Sequence, residues 1–262
     1  MKLSILMAGF RKEKWNRVYK SILDSTDGKV DFELVIVSPH SELPEELKDK
    51  KEILHFQDFG SPSRAAQIAG IKATGDILCF LMSDDGIFLP HTIEDSVGIF
   101  KSLEYNIKNV LVCTYFEGPN RYLKNFQPNV YYTLNYHKAT KLDCLPNNWI
   151  GVNQAFVYRE YWNELGGFDC VYEAAPISLA DFAIRLQRDK ASMYFVTIPL
   201  GSYGWEEGDS GGHGPIYNSQ TYHDEPYYQE KYKNGFDNIP IKIDINNWKN
   251  SAEKWERRYE KT

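Results

Sequence analysis

The stretch from Gly60 to Asp85 reads GSPSRAAQIAGIKATGDILCFLMSDD, and its reading decides the fold. The first half has the character of a helix. Ser63 is placed to act as N-cap, and Ala65, Ala66, Ile68, Ala69 and Ala73 are mostly good helix formers. Gly75 stops that helix. Ile77 to Met82 is then a continuous apolar run, the pattern of a strand buried on both faces. The strand ends abruptly at Ser83-Asp84-Asp85-Gly86. In open α/β sheets ligands bind outside the carboxyl ends of the strands. Two adjacent carboxylates there are costly neighbours unless something positive lies beside them, and a hard divalent cation with oxygen ligands suits that place. Asp-Asp-Gly is also ordinary turn chemistry, so the residues alone leave both readings open.

Outward from this stretch, Leu3 to Met7 reads as a buried strand, with Ala8-Gly9-Phe10 turning at the same carboxyl edge as Asp84. A helix is expected over Glu13 to Leu23, with Trp15, Val18, Tyr19 and Ile22 at helical spacing. Phe32 to Val37 is a second strand, followed by the turn Ser38-Pro39-His40-Ser41. A polar helix over Pro44 to Lys51 and a third strand over Ile53 to Phe56 complete the first half. Strands alternating with helices imply right-handed crossovers and a largely parallel sheet.

Further on, Pro90 opens a helix to about Leu103, and Val110 to Tyr115 is a strand. Residues 116–146 are long, aromatic and turn-rich, read as an insertion with a short hairpin at Tyr131 to Tyr136. Gln154 to Tyr158 is a strand, and Gly166-Gly167 ends a helix. A helix over Ser178 to Arg188 carries Asp181 and Arg185 at i, i+4, and Met193 to Ile198 is a further strand. Gly201 to Gly214 is dense in glycine and suits a lid closing on a ligand. Asp224 to Tyr232 reads as a short helix. Trp248, Ala252, Trp255 and Tyr259 form a helical stripe in a tail that packs on its own domain. We expect one domain over residues 1–245, in two halves at 1–115 and 116–245, and a helical tail at 246–262.

The chain has 262 residues, 42% of them hydrophobic and 15% aromatic, ample for a packed core. A net charge of −6 and a pI near 5.6 argue against non-specific binding of nucleic acid or anionic membranes. Cys79, Cys113, Cys144 and Cys170 are widely spaced, without a C-x-x-C pair, which favours a reduced, cytoplasmic compartment. No apolar run approaches the ~20 residues of a membrane span.

The central stretch resembles the family-2 glycosyltransferases with the A-type fold, whose pattern runs Ser-x-Ala-Arg-Asn, a helix, Gly, an apolar strand, then Asp-x-Asp-Asp. The match falls on Ser63, Ala65, Gly75, Asp84 and Asp85. The chain departs from it at Ala66 and Gln67, which stand for Arg-Asn, and at Met82, which stands for the first Asp. Gly166-Gly167-Phe168-Asp169, followed by the helix with Asp181 and Arg185, is a second matching block.

The resemblance implies an α/β fold, a three-layer α/β/α sandwich on a mostly parallel central sheet. It implies a sugar passed from a nucleotide-diphosphate sugar to a hydroxyl acceptor in glycan or polysaccharide synthesis, with a divalent cation, Mn²⁺ or Mg²⁺, on the departing diphosphate. Asp84 maps to the metal position, with His213, or in its place His223, as a second ligand. Ala8, Gly9 and Phe10 would line the donor pocket, supported by Ser83 and Asp85, with Ser63, Arg64 and Gln67 as further donor-side candidates. Trp149 and Asn153 fall in the passage between donor and acceptor. Leu179 occupies the usual position of the general base and cannot accept a proton. Glu173 is therefore favoured as base and Asp181 as a ligand of the acceptor hydroxyl. Two other classes stay in view: a nucleotidyltransferase, and a non-catalytic binding protein on the same scaffold.

Overall fold

The computed structural model describes residues 1–81, 83–84, 86–117, 140–141, 151–152, 154–203, 214–237 and 239–259. Its centre is a sheet whose strands are β1 (Leu3–Ala8), β2 (Phe32–Ser38), β3 (Ile53–Gln57), β4 (Ile77–Phe80), β5 (Gly86–Phe88), β6 (Asn109–Glu117), β7 (Thr140–Lys141), β8 (Ala155–Tyr158) and β9 (Ser192–Tyr203). The order is β3-β2-β1-β4-β8-β6-β9-β5, with β7 also on β9. Strands β1, β2, β3, β4, β6 and β9 run one way, and β5, β7 and β8 run the other.

The central strands are apolar on both faces because both faces are covered. Leu3, Ile5 and Met7 of β1 pack with Trp15, Val18 and Ile22 of α1 (Trp15–Thr26) and with Ile93, Val97 and Phe100 of α3 (Thr92–Ser102). Leu6 and Ala8 point the other way, toward Ala65, Ala66 and Ala69 of α2 (Pro62–Lys72). On that face α4 (Arg159–Leu165) brings Trp162, and α5 (Ala175–Arg188) brings Leu179 and Phe182. Phe168 fills the space between, its ring 5.1 Å from Phe80, 5.4 Å from Phe182 and 5.8 Å from Trp162, all edge-on. Burying each such ring is worth about 1.5–3 kcal/mol. The result is the expected three-layer α/β/α sandwich.

After β9 the chain runs through α6 (Gly214–Ser219), a π-helical turn (Gln220–Asp224) and α7 (Glu225–Tyr232). It finishes in a 3-10 turn (Asn247–Asn250) and α8 (Glu256–Tyr259). Among the described residues no helix is long and apolar enough to cross a membrane. Cys79, Cys113 and Cys170 are buried free thiols.

Four expectations need correction. Pro44 to Lys51 forms only a 3-10 turn at Glu45–Leu47, because Leu47 alone of that turn is buried and nothing else anchors a helix. Helix α2 is capped two residues earlier than expected: Ser61, not Ser63, accepts the Arg64 amide at 3.3 Å, with Pro62 in the first turn. The tail is not one helix, since residue 254 pairs with Phe59 in a parallel bridge between its two helical turns. The start of the supposed lid is sheet: Gly201 lies in β9 against β5, where a Cβ would stand 2.2 Å from the Ile87 carbonyl oxygen. The rest of that stretch, 204–213, and the hairpin expected at 131–136 lie outside the described residues.

At the amino edge of the sheet, Glu33 is buried and accepts from Ser4 Oγ at 2.6 Å, Lys2 Nζ at 2.5 Å and both Thr74 N and Oγ1 at 2.6 Å. Burial pushes its carboxyl up, but the bonds from Lys2, Ser4 and Thr74 outweigh that and bring it down to about 2. A folded pKa below the unfolded value near 4.5 gives stability that is present above pH 4.5 and lost as pH falls toward 2. The loss is about 3 kcal/mol. Urea unfolding of wild type and Glu33→Gln across that window should show the gap between them closing as pH falls. A gap that stays constant contradicts this account.

Candidate functional site

The carboxyl edge gathers the loop after β1 (Gly9 to Arg11), the loop after β4 (Leu81 to Asp84), the start of α2 and the start of β8. The β1 loop lies flat because Gly9 has no side chain: a Cβ would sit 2.8 Å from the Trp15 ring. The two loops are clamped by Asp84, which has no exposed surface. Its Oδ2 accepts from the backbone N–H groups of Phe10 and Arg11 at 2.6 and 2.5 Å. Its Oδ1 accepts from Arg11 Nε at 2.8 Å and Nη2 at 2.5 Å. Ser83 joins the same corner, its Oγ 3.5 Å from Arg11 Nη2.

Asp84 is thus a clamp between loops, where a metal ligand was expected. A divalent ion needs a carboxylate oxygen with several further oxygen donors, and both oxygens of Asp84 are in use by a guanidinium and two amides. An ion ligated by Asp84 would stand next to that guanidinium, and Arg11 would have to give up its two bonds to Oδ1 for it. With Arg11 in place, the described residues do not fit a divalent ion at Asp84. Asp85 and His213, the other residues expected there, lie outside the described residues, as do Trp149 and Asn153. Among the described residues one group of metal-ligating side chains converges, Asp27, His91 and Glu94 at the far end of α1, and Lys29 bridges Asp27 and Glu94 at 2.8 and 2.9 Å.

The donor-side candidates on α2 are also corrected. Ser63 is fully buried and donates to Ser178 Oγ at 3.1 Å. Gln67 is fully buried and ties three segments together: it accepts from the Phe168 amide at 2.6 Å and donates to Gly166 O and Ile245 O at 3.0 and 2.9 Å. Arg64 pairs with Asp58 at 3.1 Å, reaches Trp248 O and stacks 4.9 Å from the Trp248 ring. These three side chains hold the fold and its tail together and do not face a ligand. Ala8 likewise packs its methyl into the core, so only its backbone borders the edge. Ser38 and His40 are committed as well, Ser38 Oγ to His55 Nε2 at 2.8 Å and His40 Nε2 to Phe10 O at 3.2 Å.

Beside the clamp lies a cavity of about 470 Å³ whose walls include Ser61, Asp169, Glu173, His223, Asn247 and Trp255. Trp255 closes it on the side of the β1 loop, its ring 6.2 Å from that of Phe10. Glu173 enters from the connection before α5. Its Oε2 accepts from Trp255 Nε1 at 3.0 Å, Arg257 Nε at 2.7 Å and Ser219 Oγ. Its Oε1 accepts nothing among the described residues. Burial pushes the carboxyl up, and those three donors with His223 nearby more than offset it, so Glu173 is held below the usual range and stays ionised. Next to it His223 Nδ1 bonds the buried Asp224 at 2.7 Å, while Asp224 also accepts the Glu173 and Ala174 amides at the entry to α5. Burial leaves the Asp224 carboxyl above its usual range despite those bonds. His223 Nε2 has no hydrogen bond among the described residues.

Asp181 was expected to face the acceptor. It is fully buried, with Oδ2 on Arg185 Nε at 2.8 Å and Oδ1 on Lys231 Nζ at 2.6 Å and Tyr232 OH at 2.7 Å. Arg185 in turn holds the carbonyls of Leu165 and Gly167. The i, i+4 pair of Asp181 and Arg185 is the centre of a buried network.

Sequence reasoning missed the clamp between Asp84 and Arg11, and the service of Trp255 and Arg257 to Glu173. It also missed Gln154, buried at the start of β8 with neither amide atom hydrogen-bonded among the described residues. The Phe10-Arg11-Lys12 run beside the first strand was the available signal for the clamp. Nothing local marks the other two.

The fold and this edge together define an A-type glycosyltransferase fold. No protein-family model matches the chain, and no curated protein does. Solved structures of S. aureus TarS, a family-2-like glycosyltransferase, do match. TarS 1–349 superposes with a TM-score of 0.57 at 16% identity over 78% of this chain and 60% of that one. Its complex with UDP-GlcNAc gives 0.56 at 17% identity over 79% and 60%. Its complex with UDP gives 0.58 at 14% identity over 88% and 69%. The chain thus matches 60% of the length of TarS 1–349.

Proposed function

We propose that this protein is a glycosyltransferase that moves a sugar from a nucleotide-diphosphate donor to a hydroxyl acceptor in glycan or polysaccharide synthesis. The observation that carries this reading is the cavity lined by Glu173, His223 and Trp255, whose Trp255 ring reaches Phe10 of the β1 loop at the carboxyl edge. The same fold holds UDP and UDP-GlcNAc in TarS, which supports a nucleotide sugar as donor here.

In this reading the donor lies along Ala8 to Phe10 and the acceptor hydroxyl enters the cavity. Glu173 takes the hydroxyl proton on Oε1 while the oxygen attacks the anomeric carbon and the nucleoside diphosphate leaves. Trp255, Arg257 and Ser219 fix the carboxylate by its other oxygen, which orients it at the cost of some basicity. His223, oriented by Asp224, is the second proton acceptor on the same wall. One observation favours a non-catalytic binding protein instead: Leu179, at the usual position of the base, is buried in the core. A thermal-shift screen with nucleotide sugars tests the reading, because a ligand of the native state raises stability by RT ln(1 + [L]/Kd). Stabilisation by at least one nucleotide sugar is expected, and a screen without any shift rejects the function.

A further inference from the structure

We infer that the acceptor is an uncharged glycan of several sugars, whose terminal sugar enters the cavity at Glu173 and whose next sugars lie on the outer face of residues 214–228, at Tyr222 and Tyr227. This rests on the reading of the cavity as the acceptor site.

Among the described residues, Tyr217, Tyr222 and Tyr227 are 56%, 75% and 43% exposed, and all three stand on the segment formed by α6, the π-helical turn and the start of α7. A single exposed ring is ordinary, but several on one short segment mark a contact surface. The inner side of the segment serves the cavity: Ser219 donates to Glu173, His223 lines the wall, and buried Asp224 accepts the Glu173 amide at 2.9 Å. Its exposed side chains are Tyr217, Asn218, Thr221, Tyr222, Pro226 and Tyr227, none of them charged, in a chain whose residues are 25% charged. Glu225 is half-buried and accepts from Gln220 Nε2 at 3.1 Å, and exposed Glu230 pairs with Lys233 beyond Tyr227. The exposed face of a helix is ordinarily its charged one. Rings, hydroxyls and an amide without charge suit a neutral ligand that is apolar on its C–H faces and rich in hydroxyls, which is a sugar; a charged polymer would be met by opposite charges. The face is continuous with the cavity. Tyr222 directly precedes His223 in the wall. Tyr227 packs its ring 5.5 Å from that of Tyr172, the residue before Glu173. An acceptor whose reacting hydroxyl reaches Glu173 Oε1 therefore has its further sugars beside these two rings.

Calorimetry on the full chain tests this, with uncharged cellulose, β-1,3-glucan and chitin oligomers of two and of six sugars as probes. In at least one series the hexamer should bind about tenfold tighter than the dimer. Tyr222→Ala should weaken hexamer binding about fivefold to tenfold, the size of one lost ring contact, and Tyr222→Phe should keep it, since the ring makes the contact. Tyr222 is exposed, so neither variant disturbs the core. Hexamers that bind no tighter than dimers, hexamer binding unchanged in Tyr222→Ala, or binding by no series overturns the inference. Tighter binding of a charged hexamer of hyaluronan overturns it as well. So does sedimentation that shows a dimer which Tyr222→Ala dissolves, because the face then belongs to a second copy. The thermal-shift screen with nucleotide sugars separates this from the transferase reading. A shift there without oligomer binding rejects the glycan surface alone, and oligomer binding without a shift there rejects the transfer and keeps the surface.

Discussion

Asp181→Asn is expected to lower the unfolding free energy by about 3–5 kcal/mol, the usual result of removing one partner from a buried ion pair. Asp181 and Arg185 have no exposed side-chain surface, and Lys231 adds a second cation on the same carboxylate. Burial alone would push the Asp181 carboxyl up, but Arg185, Lys231 and Tyr232 more than offset it and hold it below its usual range. The neutral amide would leave both cations facing one another in the interior. Arg185 also anchors the carbonyls at the end of α4, so the damage should spread to the Gly166-Gly167 turn. Denaturant unfolding measures the effect. A variant with wild-type stability but no transfer activity would return Asp181 to the acceptor role that its sequence position suggests.

Glu173→Gln should lower kcat by about 10²–10⁴, the typical contribution of a positioned general base, with little change in donor affinity. The amide cannot take a proton, and it still fills the place between Trp255 and Arg257. A stability check must accompany the kinetics, because Arg257 loses its partner. If Glu173→Gln keeps wild-type kcat while His223→Gln loses it, the pair formed by His223 and Asp224 is the base. If neither matters and the product keeps the donor's anomeric configuration, a base mechanism is wrong.

The architecture was legible because its evidence is local. β1, β2 and β4 are apolar runs long enough for a strand and too short for a buried helix. The Gly75 stop and the Gly166-Gly167 turn mark where helices end. The polar stretch at 44–51 misled because helical composition without an apolar face does not hold a helix. The tail misled in the opposite way. Trp248 and Trp255 stand at helical spacing, yet each is claimed by a distant charge: Trp248 stacks on Arg64, and Trp255 donates to Glu173. Those contacts pull the segment into an extended strap.

The site was less legible for the same reason. Ser63, Arg64 and Gln67 lie where the family pattern points to a donor, and spacing along a helix cannot say whether a polar side chain looks out at a ligand or back into the fold. All three look back. Asp84 was placed at the correct edge, but its partner, Arg11, comes from another loop 73 residues away in sequence. Glu173 was favoured by elimination at Leu179, and the cavity that it borders had no sequence signal at all.

The central claim is that this edge transfers a sugar from a nucleotide donor. Incubating the wild-type chain with a panel of nucleotide sugars and mixed glycoside acceptors, and identifying the released phosphate species by ³¹P NMR, tests it most directly. The account predicts release of nucleoside diphosphate from one donor, and its loss in Glu173→Gln. Release of pyrophosphate would make the protein a nucleotidyltransferase, and tight binding of a nucleotide sugar with no release of either would make it a binding protein; either result contradicts the account.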